Sequence, residues 1–192
     1  MTFPNCIPLL LALFVIAPSL HAQNQASMER FGSDHPLASQ PRGTNMISCS
    51  EYETITYNGL TIAQIEATDG EASQVQQLWG NYTSVETMDI VAIAKYYYNG
   101  NRISFRESEL TGISIQEPNW PITILGKNIN VGDTFTELQQ RFGNNLKIIH
   151  KPDIDSNYAV SFGRSGNDGD GLLVNLSPET NKVVEITYFV NP

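Results

Sequence analysis

Histidine, cysteine and positive charge are all scarce in this chain, and each scarcity removes a class of function. Three histidines and two cysteines are spread over 192 residues. A His/Cys metal centre needs several such ligands converging, and only His35, Cys49 and His150 lie beyond residue 22. No metal and no cofactor are expected. Eleven Lys and Arg stand against 20 Asp and Glu, a net charge of −9. That balance argues against nucleic acid or an anionic membrane as the main partner. No apolar run reaches the ~20 residues a membrane-spanning helix needs.

The run Leu9 to Ala17 is instead short, nine residues, and fits the core of a secretory signal. Residues 1–22 are read as that signal, with cleavage after Ala22 and a mature chain starting at Gln23. "APS", ending at Ser19, is a second candidate site. Cys6 precedes the apolar run and follows "FPN", so no lipid anchor is expected. The mature chain is placed in the periplasm or outside the cell. It keeps the charge of −9 and one cysteine, Cys49, so it forms no internal disulfide. Cys49 is expected as a buried apolar thiol; a reactive or intermolecular thiol is the alternative.

Residues 23–45 are polar, with Pro and Gly and few large apolar side chains, and read as a flexible leader. Beyond them, one stretch is nearly repeated. "SQVQQLWGN" at 73–81 returns as "TELQQRFGN" at 136–144 without a gap. Both have helical spacing, with Ala72, Val75, Leu78 and Trp79 in one and Phe135, Leu138 and Phe142 in the other. Gly80 and Gly143 stop them, and Thr134 with Glu137 has the spacing of a capping box. "ETITYNGLTIAQI" reads as a hairpin turning at Asn58-Gly59, with Tyr57 opposite Leu60 and Ile55 opposite Ile62. "MDIVAIAKYYYNGNRISF" reads as another, turning at Asn99-Gly100. "ELTGISI", "YAVSF", "GLLVNL" and "KVVEITYFV" read as strands.

The expected fold class is α+β. Two tandem repeats, 46–117 and 122–192, each pack a short helix on an antiparallel β-meander, joined by a linker at 118–121. Each repeat is small for a lone core, so the two should form one body.

"DGEASQVQQLWGN" and "VGDTFTELQQRFGN", in tandem in an exported chain, resemble the helix start and stop of the β-lactamase-inhibitor-protein superfamily. Its single-repeat relatives include the small lipoprotein of the outer-membrane barrel-assembly machinery. The resemblance spans residues 50–192 and implies that family's fold. The chain departs from the pattern in having one expected helix per repeat, an extra hairpin at 51–66, and neither paired cysteines nor a lipid-attachment cysteine. The family's inhibitory contact residues are therefore not carried over.

Catalytic signals are thin. A Ser/His/Asp set meets only in space, His150 is the one credible base, and "GRSGN" at 163–167 falls one Gly short of a nucleophile elbow. No catalytic residue is assigned. "GNDGDG" at 166–171 lacks the acids that a calcium loop places at its first and twelfth positions, and reads better as a hairpin loop, with weak surface calcium binding as the alternative. Asn81-Tyr-Thr83 and Asn175-Leu-Ser177 match glycosylation triplets.

The hairpin at Asn99-Gly100 carries the functional reading. Its turn fixes the register and puts Lys95, Tyr97, Arg102, Ser104 and Arg106 on one face. Three of the eleven basic residues gather there. Tyr97 beside Arg102 fits a cation–π pair, and Tyr and Arg are enriched among interface anchors. An ordinary solvated sheet face is the plain alternative. Trp120, between Pro118 and Pro121, is either a plug between the repeats or an exposed anchor. The expected function is non-enzymatic binding of another envelope or extracellular protein, inhibitor- or immunity-like, through Lys95, Tyr97, Arg102, Arg106 and Trp120. A sensor for a small anionic ligand or cell-wall fragment is the alternative, and a hydrolase a more distant one.

Overall fold

The computed structural model describes residues 37–150, 158–165 and 170–190. The signal segment, His35 and residues 166–169 of the "GNDGDG" stretch lie outside the described residues. The architecture is mixed α+β, with one large sheet and one small one.

The chain opens with β1 (Asn45–Ile47) and α1 (Cys49–Tyr52), then β2 (Thr56–Tyr57), β3 (Leu60–Thr61), α2 (Ile62–Glu66) and α3 (Ala72–Trp79). Strands β4 (Ser84–Met88), β5 (Ile93–Tyr98), β6 (Asn101–Arg106) and β7 (Glu109–Ile115) follow. Next come β8 (Ile122–Ile124), β9 (Lys127–Ile129), α4 (Phe135–Phe142) and β10 (Ile149–His150). β11 (Tyr158–Arg164), β12 (Asp170–Leu176) and β13 (Val183–Val190) end it. The large sheet runs β1-β11-β12-β13-β7-β6-β5-β4, with β10 also on β11. The small sheet runs β3-β2-β8-β9. Every pairing is antiparallel except β1 on β11.

Local chemistry explains the helices. In α4 the Thr134 hydroxyl accepts from Glu137 N and the Glu137 carboxylate accepts from Thr134 N. That exchange satisfies two otherwise orphaned donors. Phe135 and Leu138 are buried, and Gly143 at φ 99° stops the helix. α3 stops likewise at Gly80, φ 83°. One core holds both sheets and the helices together. Ile103, Phe105, Ile113, Val160, Val174 and Ile186 from the large sheet meet Tyr57, Ile122 and Ile129 from the small one, with Val75 and Leu138 from the helices.

Several expectations need correction. The first hairpin pairs Tyr57 with Leu60 as expected, but its second strand ends at Thr61. There a Thr61/Gln64 capping box turns the chain into α2, so Ile62 does not pair with Ile55. A Ser48/Glu51 box starts α1, so three helices, not one, precede β4. Strands β4, β8 and β9 add to the strands read from the sequence. The leader 23–45 overlaps packed chain from Leu37 onward: Leu37 is 2% exposed. The Asn45 amide donates to Lys147 O and Ser161 O at 2.9 Å and accepts from Lys147 N. Backbone and amide hydrogen bonds hold this segment, so its polar composition concealed its order.

Candidate functional site on the outer face of the large sheet

The pairing of β5 with β6 sets Tyr97 opposite Arg102, Lys95 opposite Ser104 and Ile93 opposite Arg106. Ala94, Tyr96, Ile103 and Phe105 point the other way, and of these Tyr96, Ile103 and Phe105 are core residues. Lys95, Tyr97, Arg102, Ser104 and Arg106 therefore share the outer face.

β4 adds a residue that sequence reasoning missed. Glu86, opposite Lys95, accepts from Lys95 Nζ at 3.2 Å and from the Tyr97 hydroxyl at 2.9 Å. The Tyr97 hydrogen bond first, and Lys95 second, hold the Glu86 carboxyl below its ordinary range. Lys95 and Tyr97 are thus already engaged. The expected Tyr97–Arg102 cation–π pair is not formed. Among the described residues such contacts join Arg42 to Tyr158 at 5.4 Å and Lys127 to Phe142 at 5.3 Å.

Arg102 and Arg106 differ from Lys95. Both are exposed, and neither makes a hydrogen bond or ion pair with a described residue. Glu109, the cross-strand neighbour of Arg106, does not bridge to it. Both guanidinium side chains border a depression of about 350 Å³, with Lys95, Ser104, Gly112 and Phe189 among its other walls.

Two glycines shape that depression. β13 sets Phe189 between Gly112 on β7 and Gly171 on β12. The ring leans over Gly171: a Cβ there would lie 2.4 Å from Phe189 Cζ. A Cβ on Gly112 would meet only the Tyr188 carbonyl oxygen, at 3.1 Å. Phe189 is thus turned away from Gly112 and stays 37% exposed as one wall. The floor beside it is bare backbone.

The turn that carries Arg106 is strained. Glu107 and Ser108 join β6 to β7 with φ of 51° and 70°, the left-handed region that Asn and Gly favour. The hairpin at Asn58-Gly59 meets the same demand with the preferred residues. Glu107→Asn with Ser108→Gly should raise stability by roughly 1–2 kcal/mol, read as a higher urea midpoint. An unchanged or lower midpoint would contradict the strain.

The remaining candidates fall elsewhere. Trp120 is 7% exposed and packs between Trp79 and Tyr98, ring centroids 5.2 and 5.1 Å away. It is no surface anchor. Cys49 is exposed, not buried. α1 turns Tyr52 inward instead, and the Cys49 thiol donates to Ser165 O at 3.3 Å. Asn175 is 6% exposed with its amide on Glu185, a closed site for glycosylation; Asn81 is exposed. His150 ends β10, and its side chain lies outside the described residues. No group of three or more His, Cys, Asp or Glu among the described residues could hold a metal ion. No helix among them is long and apolar enough to cross a membrane.

No family model and no curated protein matches the chain. A similar solved structure is that of an extracellular protein containing an SCP domain from Bacillus anthracis, with 11% identity and a TM-score of 0.40. The match covers 64% of this chain and 43% of that one, so this chain spans less than half the length of its neighbour. At that score the likeness carries no argument about fold or activity.

Proposed function

We propose that this chain is an exported, non-enzymatic binding protein that docks an acidic surface of another envelope or extracellular protein on the outer face of its large sheet. One observation carries the reading. Arg102 and Arg106 make no hydrogen bond or salt bridge with a described residue, Arg102 acting on Glu86 only through its charge, and both stand beside one depression on a chain of net charge −9. Cations grouped against the sign of the whole molecule suit electrostatic complementarity with an acidic partner. Ser104, Gly112 and Phe189 add a floor and an aromatic wall.

The strand order supports reading the body as two tandem units. α3 and α4 have equal length and the same glycine stop. Each precedes a run of four strands, and the last strands of the two runs, β7 and β13, pair with each other. The β2-β3 and β8-β9 hairpins meet likewise through β2 and β8. That arrangement is compatible with the superfamily resemblance and makes an inhibitor- or immunity-type protein one form of the proposal. Export follows from the signal pattern of residues 1–22. The depression itself favours a second reading, a sensor for a small anionic ligand.

The structure sharpens the test. Tyr97 is tied to Glu86, so replacing it disturbs the rim. Arg102→Glu with Arg106→Glu changes two exposed side chains and leaves the core alone. The chain from Gln23 would be immobilised beside this variant and exposed to envelope and secreted fractions of its source. A protein retained by the wild type and lost by the variant is expected. Identical retention by both would remove this face as the docking site.

A further inference from the structure

The depression has a direction, and the direction selects a class of partner. Arg102, Ser104 and Arg106 follow one another along the outer face of β6. Strand geometry puts Arg102 and Arg106 about 13 Å apart along the backbone, with Ser104 midway. Ser104 lies opposite Gly112, and Gly112 opposite Phe189. The line is therefore cation, open floor with an aromatic wall, cation. An extended peptide repeats with the same step: its residues i, i+2 and i+4 project on one side, about 6.7 Å apart.

From this match we infer that the site takes an extended acidic segment of a partner protein, with carboxylates four residues apart and an aliphatic side chain midway. The carboxylates reach Arg102 and Arg106, where the planar guanidinium fork suits bidentate pairing. The aliphatic side chain rests over Gly112 against Phe189. A single compact anion uses one end of this line and leaves the aromatic wall uncovered. Lys95 contributes little, because Glu86 already holds it. The inference rests on the reading of this face as the docking surface and adds the spacing and conformation of what docks.

Two labelled, N-acetylated and C-amidated peptides of identical composition separate the two ideas. One has the order Glu-Thr-Val-Thr-Glu, the other Glu-Thr-Glu-Thr-Val. Fluorescence anisotropy at low salt would be read with the full mature chain, with labelled sodium polyglucuronate as a third, separately titrated probe. The first peptide should bind roughly tenfold more tightly than the second. Arg102→Gln and Arg106→Gln should each cost it roughly tenfold, and added salt should weaken it. Equal affinity for both peptides would overturn the spacing and leave the basic face standing. Binding of polyglucuronate but of neither peptide would overturn the peptide assignment in favour of an acidic polysaccharide. Binding of none of the three would remove the basic-face reading as well.

Discussion

Trp120→Ala should cost about 3–5 kcal/mol of folding stability, the range for emptying a large aromatic site in a core. The indole is 7% exposed and its ring contacts both Trp79 and Tyr98. Aromatic pairs at these separations contribute beyond their buried area. The truncation would open a void next to Tyr98, itself 7% exposed, and next to Trp79 on α3. The Asn58 N–H donates to the carbonyl of the adjacent Pro121 at 2.8 Å, so the loss would spread to the β2-β3 turn. For a domain of this size a loss of that order lowers the melting temperature by on the order of 10 °C. Thermal and urea unfolding would measure it. An exposed anchor would behave oppositely, with stability within about 0.5 kcal/mol of wild type. A melting temperature unchanged by Trp120→Ala would return Trp120 to the surface.

That contrast shows which parts of the fold are legible in a single sequence. α4 is legible because everything that makes it lies within ten residues: a capping box, two apolar positions three apart, and a terminal glycine. The Asn58-Gly59 and Asn99-Gly100 hairpins are legible because Asn accepts a positive φ, 52° and 57° here. β4 is not legible. All five of its residues are exposed, so no alternation marks it, and its order comes from pairing with β5. β8 and β9 are three residues each; β8 is held by pairing with β2 more than sixty residues earlier, and β9 by pairing with β8. α2 was masked by Thr61 and Ile62, whose β-branched side chains suit a strand. The capping box decided against them. β1 is held by backbone bonds to a strand far along the chain, which composition cannot report.

The candidate site divides the same way. The placement of Lys95, Tyr97, Arg102 and Arg106 on one face follows from a two-residue turn, a local fact. Glu86, Gly112 and Phe189 reach that face through three separate strand pairings. No local pattern announces them, yet they determine which cation is tied down and where the floor is open. Burial of Trp120 overturns the exposed-anchor reading and leaves that of a packed plug. Flanking prolines mark a loop, but a loop residue can still turn its ring into the core.

Alkaline instability is the second large effect expected. The Tyr57 hydroxyl is buried without a hydrogen-bond partner among the described residues, in a side chain only 1% exposed. Burial first, and the nearby Tyr52 and Tyr188 second, push its pKa well above the usual value of 10.0. Burial likewise pushes Tyr98 up to about 12. The sign follows from proton counting. Above pH 10 the unfolded chain has lost these protons, while the folded chain still holds them. Folding is then coupled to proton uptake, and stability falls as pH rises, with a limiting slope of about 1.4 kcal/mol per pH unit per proton that Tyr57 approaches and Tyr98 does not reach. The loss begins near the unfolded value and, for Tyr98, levels off near pH 12. Urea midpoints at pH 8, 10 and 11.5 should therefore decline steeply across the last interval. Tyr57→Phe removes both the titration and an unsatisfied buried hydroxyl, whose burial costs about 1–3 kcal/mol. That variant should match or exceed wild-type stability at pH 8 and decline less at pH 11.5. Parallel declines for wild type and Tyr57→Phe would mean that Tyr57 ionises in the folded chain as freely as in the unfolded one, and that its ring is not sealed in the core.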